Sequence, residues 1–371
     1  MKFTANSLDL QRALGKIGGV IPTKSTMPIL EHTFFELASN VLTITGTDLE
    51  IWYTATISVK GTQDGRIAIP AKRLIDTIRS FDNTEVVFSL DASTQKLSLS
   101  TGTGQYSLSG TNGSEFPPVP AFQGSIQFSM QSSMLKRLIH QTAFAVSTDE
   151  LRPAMMGVLL QPKASELRAV ATDGHRLVKF GYTMPKATGL KRDIIVPAKA
   201  LHLIGRSLDA GDVSVTVSDA NVKFSFDNTV LVSKLIDESY PNYESVIPQE
   251  NDKTMVINRD TLLASLRRVA LYSNATTHQV RFSLAAGAMT ISAQDLDFGG
   301  DAKESIECTY TGETLEIGFN ANYLLEILTH MEADEASFKF STPTRAGIIT
   351  PVAQREHEDI LMLVMPVRLN V

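Results

Sequence analysis

Cysteine is nearly absent from this chain: Cys308 is the only one in 371 residues, so no disulfide can form within it. That fits a reducing cytosol, and the expected role of Cys308 is that of a small buried apolar side chain. Long hydrophobic runs are missing too. The stretch "ILMLVMP" from Ile360 is far too short to cross a bilayer, so no membrane is expected. The first residues, "MKFTANSLDL", hold no apolar segment of the kind a secretory signal needs, and a cytoplasmic location is expected. Catalytic signatures are equally scarce. There is no P-loop and no H-E-x-x-H, and "TGTGQY" from Thr101 fails the dinucleotide glycine pattern. Positive charge is not in excess either. A formal net charge of −6 argues against a general nucleic-acid binder, unless basic residues are gathered on one face.

What is present is a repeat. One passage reads "FTANSLDLQRAL" from Phe3, "FSMQSSMLKRLI" from Phe128 and, more loosely, "VINRDTLLASLRR" from Val256. A second reads "LTITGTDLE" from Leu42, "LRAVATDGH" from Leu167 and "MTISAQDLD" from Met289, with Asp48, Asp173 and Asp295 at matching places. A third reads "IPAKRLIDTIRS" from Ile69, "VPAKALHLIGRS" from Val196 and "GFNANYLLEILTH" from Gly318. The three offsets are 125, 125 and 127 residues between the first two copies, and 128, 122 and 122 between the second and third. Agreement in order and spacing marks a triplicated domain.

Each copy reads as a strand, a helix, several strands, a second helix and more strands. Alternation marks strands in "LTIT" at Leu42, "LSLS" at Leu97 and "YSLS" at Tyr106. Pro70 and Pro197 stand at helix starts, where a missing N–H costs nothing. Leu74, Ile75 and Ile78, with Leu201 and Ile204 in the second copy, form the apolar stripes that follow. The proline-bearing segments "SEFPPVP" from Ser114 and "YPNYESVIP" from Tyr240 mark the exits from copies one and two. The expected domains are residues 1–121, 122–250 and 251–371, and the expected class is α+β, rich in antiparallel sheet.

Charge is segregated between the elements. Candidate helices at 8–17, 71–80, 132–142, 198–208, 259–273 and 321–332 carry a net +7 together, leaving −13 on the remainder. The last of them is acidic, so copy three is expected to contribute least to any basic surface. Basic helices contact phosphates without reading sequence. Repeated helices facing one side suggest a closed ring, and its size can be bounded. At ~9 Å between packed helices, six close a ring with almost no bore, whereas twelve leave about 25 Å. A duplex is roughly 20 Å across, so two copies of this chain fit around DNA and one does not.

An enzyme reading rests on Asp173 and His175 in "TDGH", which could serve as an acid–base pair or as metal ligands. The first and third copies keep the aspartate but follow it with Leu-Glu and Leu-Asp. The repeated aspartate is therefore read as a turn cap, with no catalytic residue, metal or cofactor expected. The alternative to a DNA-encircling ring is a β-rich interaction scaffold that never touches DNA; a metal-dependent nuclease ranks third.

"MKFT" at the start, "GTDLE" at Gly46, "ATDGHRL" at Ala171, "YPNYESVIP" at Tyr240 and "VMPVRL" at Val364 resemble the bacterial DNA polymerase III β subunit family, the β sliding clamps. The resemblance runs along the whole chain with all three repeats in register. It implies the DNA-clamp domain in triplicate, with antiparallel sheets outside and two helices per repeat lining the inside, and a head-to-tail homodimer of six domains. The implied partners are duplex DNA, a second copy of the chain, the polymerase III catalytic subunit, a clamp-loader complex, and other DNA polymerases and repair proteins carrying clamp-binding peptides. Such peptides usually present a glutamine and hydrophobic anchors. The implied location is at the nucleoid.

Residue by residue, the resemblance implies a partner-peptide pocket between the second and third domains. It comprises Met155, Thr172, Gly174, His175, Arg176, Leu177, Pro241, Val246, Leu363, Met365, Pro366, Val367, Arg368 and Leu369. The implied ring joint uses Tyr106 on one side and Leu271 with Tyr272 on the other. The expected DNA contacts are Lys72, Arg73, Arg79, Lys136, Arg137, Lys199 and Arg206 from the helices, with Lys24 and Arg152 from two loops. Some positions depart from the family. Lys24 stands where one branch has arginine, which keeps charge but loses a bidentate fork. Ser245 replaces an arginine found at the pocket rim in some members. "LRPAMMG" from Leu151 lacks paired tyrosines, which puts aromatic stacking on DNA from that loop in doubt.

Overall fold

The computed structural model describes residues 1–122 and 125–369. Among the described residues six α-helices recur in pairs, one pair per repeat: α1 (Ser7–Ile17), α2 (Ala71–Arg79), α3 (Ser132–Thr142), α4 (Ala198–Ser207), α5 (Arg259–Ala270) and α6 (Ala321–His330). The first helix of each pair follows a short strand, Lys2–Asn6, Ile126–Gln131 or Lys253–Asn258. Local chemistry sets these starts. Asn6 and Asn258 cap α1 and α5 by accepting from the backbone N–H of Leu8 and Thr261, and Asn320 caps α6 in the same way. In α1, Leu10, Ala13, Leu14 and Ile17 recur at helical spacing and are all buried. Pro70 is the N-cap of α2 and also the last residue of the strand Gly65–Pro70, so its ring closes one element and opens the next. Leu74, Ile75 and Ile78 then face inward, as their spacing requires.

Contacts divide the chain into two compact units. The first holds Met1–Lys136 and Lys199–Leu235; the second holds Arg137–Ala198 and Ile236–Val371. The repeats and the units do not coincide, because the second repeat is shared between them. In the first unit, a five-stranded sheet ends on the strand Gln105–Ser109. A nine-stranded sheet of the same unit combines two repeats, joined where Ile51–Ser58 pairs antiparallel with Thr229–Lys234. Its α1 packs on α2, and Gln11 donates to the carbonyls of Ile78 and Phe81 at 2.9 Å each, tying α1 to the end of α2.

The second unit repeats this plan. Its nine-stranded sheet joins repeats two and three where Arg176–Thr183 pairs with Glu358–Val364, placing Leu177 opposite Leu363. Its four-stranded sheet ends on the strand Gly300–Glu307. Here α5 packs on α6. The most enclosed ion pair of this unit is formed by Arg137, whose guanidinium meets Glu358 at 2.6 and 2.7 Å. A second carboxylate, Glu332, bonds the third nitrogen of that guanidinium and is shared with Arg355.

Candidate partner pocket and basic surface

The "TDGH" turn shows why its aspartate recurs. Asp173 Oδ1 accepts from the backbone N–H of His175 at 2.8 Å and of Arg176 at 2.9 Å. Asp48 does the same for Glu50 and Ile51, at 3.0 and 2.7 Å, and Asp295 for Asp297 at 3.0 Å. The aspartate is thus a structural turn cap in all three copies. The second copy adds a glycine in the left-handed region, Gly174 at φ +90°. Thr172 is buried; its hydroxyl donates to the Arg176 carbonyl at 2.6 Å and accepts from Gly174 N–H at 3.1 Å.

Arg176, expected as a pocket residue, is buried within the wall rather than presented on it. Its guanidinium donates to Asp173 at 3.1 Å and to the Phe144 carbonyl at 2.8 Å, and it pairs with Glu326. The ring of Tyr323 lies 4.9 Å from its carbon and that of Phe144 5.3 Å. It is a strut behind the turn. His175, by contrast, is exposed and stacks on Tyr323 at 5.9 Å.

Beside this turn lies an apolar cluster. Leu159, Val170, Leu177, Ile195, Tyr243, Ala346 and Leu363 are buried together, with Ala154, Ile236, Tyr240 and Ile247 packed against them half-buried. Leu177 and Leu363 therefore belong to this buried cluster beside the turn. Met155 is buried, whereas Met365 (40 % exposed) and Val246 (52 %) present apolar surface to solvent. Pro241 is exposed beside Tyr240, whose hydroxyl donates to the Val170 carbonyl at 3.3 Å. Burial raises the Tyr240 phenol well above its ordinary value, so it stays neutral.

The carboxyl-terminal tail is tied down at two points. Met365 N–H donates to the His175 carbonyl at 2.8 Å, and Val367 N–H to the Gly318 carbonyl at 2.9 Å. Gly318 permits the second bond, since a Cβ there would stand 2.7 Å from the Val367 carbonyl oxygen. Pro366, Val367 and Leu369 are half-buried and Arg368 is exposed.

Reading the sequence for single residues missed Tyr240, Tyr243, Ala154, Ala346 and Ile247. The motif around Tyr240 was visible; the convergence on it of five strands and several loops was not.

The basic candidates separate by what holds them. Lys24, Lys72, Arg73, Arg79, Lys136 and Arg206 are exposed and form no ion pair among the described residues. Lys199 pairs with Asp48, and Arg152 with Asp149 at 2.8 Å. Arg137 must be withdrawn from the exposed set. Only 10 % of its side chain reaches solvent, and two carboxylates neutralise it. In the third repeat, Arg259 and Arg268 are paired with Asp260 and Glu304. Glu326 is the sole charged residue of α6 by sequence, Glu332 lying beyond its end at His330.

The ring-joint candidates lie at two of the sheets' edge strands. Tyr106 stands on the edge strand of the five-stranded sheet, 43 % exposed, with Phe81 5.3 Å away. Leu271 and Tyr272 follow α5 and are 81 % and 47 % exposed. Tyr272 lies against Gly300, the first residue of the edge strand of the four-stranded sheet. Cys308 is half-buried and burial raises its thiol, so it is not a reactive thiolate. No helix among the described residues is long and apolar enough to cross a membrane.

Three family descriptions match the chain in succession: the DNA polymerase III beta subunit N-terminal domain over residues 1–120, its central domain over 129–242 and its C-terminal domain over 244–368. The triplicated fold is therefore the three-domain architecture of DNA polymerase III beta subunits. A beta sliding clamp of Pseudomonas putida is 31 % identical over 372 residues, and one of Chlamydia pneumoniae 30 % over 371, each pair aligned over the full length of both chains. A sliding clamp from Bartonella birtlesii, solved bound to griselimycin, superposes with a TM-score of 0.95 at 30 % identity over all of both chains. The Bacillus subtilis sliding clamp superposes at 0.93 with 26 % identity, again over all of both chains. The chain belongs to the bacterial beta sliding clamp family.

Proposed function

We propose that two copies of this chain close head to tail into a ring around duplex DNA and hold replication and repair proteins there, without catalysing a reaction. The observation that carries this reading is that two of the sheet edges bear exposed large apolar side chains: Tyr106 on the edge strand Gln105–Ser109, Leu271 and Tyr272 beside the edge strand Gly300–Glu307. An unpaired edge is a template for another strand. Two different edges on one chain make a heterologous joint, which closes only if the rotation closes.

Lys24, Lys72, Arg73, Arg79, Lys136 and Arg206 are the free cations that would meet phosphates, with Lys199 reaching them at the cost of its Asp48 pair. Such contacts are sequence-independent, as a sliding ring requires. The groove over Leu177 and Leu363 takes a short peptide with a glutamine and apolar anchors. Met155 and Met365 adapt to different anchors, while a few polar groups set register. The polymerase III catalytic subunit, other DNA polymerases and repair proteins are the proposed peptide donors. The chain carries no nucleotide-binding motif, so ring opening falls to a separate clamp loader. The proposed location is the cytoplasm, at the nucleoid.

The test is topological. Solution mass of the protein is measured first, with a dimer expected. The ring is then loaded on nicked circular DNA, where it is retained, and the circle is cut once. Release on linearisation is expected; retention refutes encirclement. A monomeric mass refutes the ring.

A further inference from the structure

Arg152 belongs to the set of loop cations expected on DNA, and the geometry points to another duty: we infer that Arg152 is a latch that fixes the pocket turn 172–175, and not a phosphate contact. This rests on the pocket reading above. Its guanidinium already has two acceptors. Nε donates to Asp149 Oδ2 at 2.8 Å and Nη1 donates to the Asp173 carbonyl at 3.2 Å. The same Nη1 lies over Gly174, where a Cβ would stand 2.9 Å away. The loop that carries it is closed on itself. Leu151 N–H donates to Asp149 Oδ1 at 3.0 Å, and Met155 N–H to the Arg152 carbonyl at 3.0 Å. Hydrogen bonds from Leu151 and Arg152 hold the Asp149 carboxyl below its usual range, so the pair stays ionised.

The turn is thus gripped from two sides. Arg152 holds the carbonyl of Asp173, and the tail holds that of His175 through Met365 N–H. Between them sits Gly174, in the left-handed region at φ +90°. Fixing it sets the position of His175 and spares an incoming peptide the entropy of ordering it. Two of its nitrogens are held by Asp149 and the Asp173 carbonyl, so turning this half-exposed fork onto a phosphate would release the turn, a cost that exposed and unpaired Lys136 does not carry.

The test measures two affinities of the full-length protein. One is for a fluorescein-labelled synthetic peptide with a glutamine and leucine and phenylalanine anchors. The other is for a short duplex as a function of salt. In Arg152→Ala the peptide is expected to bind about tenfold more weakly, as for loss of one charge-assisted hydrogen bond. The salt slope for DNA is expected to stay at its unmutated value. Arg152→Lys, which can reach one acceptor, recovers part of the peptide affinity. Asp149→Ala weakens the peptide similarly, and the Arg152→Ala, Asp149→Ala double variant is no worse than either single one. The imidazole resonances of His175 broaden in Arg152→Ala as the turn begins to exchange. A salt slope lower by about one in Arg152→Ala assigns the residue to DNA and overturns the latch, as does unchanged peptide affinity. If the unmutated protein does not bind the peptide, the pocket reading fails, and sharp His175 resonances in Arg152→Ala then overturn the latch independently.

Discussion

Replacing Arg137 by alanine removes the cation from the most enclosed ion pair of the second unit. The partner left behind is Glu358, whose side chain is 2 % exposed, against 10 % for Arg137. A carboxylate so enclosed cannot recover its hydration, and breaking a buried pair on one side costs roughly 3–5 kcal/mol. The unit is about 200 residues long, and at that size each kcal/mol moves the midpoint by about 2–4 °C, so a fall near 10 °C is expected. Calorimetry and urea unfolding of the full-length protein measure it. Arg12→Ala is the internal control, because Arg12 and its partner Asp9 are 76 % and 53 % exposed and contribute at most a few tenths of a kcal/mol. A second variant separates lost attraction from stranded charge. Arg137→Met combined with Glu358→Leu removes both ions and should recover most of the loss. A cost below about 1 kcal/mol for Arg137→Ala, with no recovery in the double variant, refutes the claim that desolvation governs this pair.

Three further outcomes are expected. Lys72→Ala with Arg73→Ala should lower the salt slope of DNA binding by about 2, leaving peptide affinity unchanged. Gly318→Ala should weaken partner-peptide binding while the protein stays folded, because a Cβ 2.7 Å from the Val367 carbonyl pushes away the tail that carries Met365; unchanged peptide affinity would remove the tail from the site. The third concerns pH. Burial lowers the pKa of His330, with His140 and Arg176 adding like charge, while bonding to the Glu326 carbonyl and the Glu326 charge oppose the shift. The unfolded chain then binds more protons below about 6.5, so stability is full above that pH and falls as pH drops through it. The urea midpoint should decrease between pH 7.5 and 5.5, and by less in His330→Phe; an equal decrease in both clears His330.

How far the sequence carried depended on whether a property is local. The helix starts were legible because asparagine caps and apolar stripes act within a few residues, as at Asn6 or Leu74, Ile75 and Ile78. The role of Asp173 was legible for a related reason: the same turn occurs three times, and only one copy continues with Gly-His. The availability of cations was not legible. Arg137 and Lys136 are neighbours with the same charge on one helix, yet one is enclosed by Glu332 and Glu358 and the other is free. Their difference is set by residues some 200 positions away, which no spacing reveals. Tyr243 and Ala346 joined the apolar cluster of Leu177 and Leu363 in the same hidden way, from segments far apart in the chain.

The antiparallel joins between Ile51–Ser58 and Thr229–Lys234, and between Arg176–Thr183 and Glu358–Val364, have a consequence for how this chain can be divided. Duplication copied a segment of about 125 residues, but the hydrogen-bonded ladders run past the ends of that segment. Excising one copy would tear a sheet and leave sticky backbone where a neighbour had been. What was inherited as a module is no longer able to live alone, and a shortened version of this protein would have to be cut across the copies rather than between them.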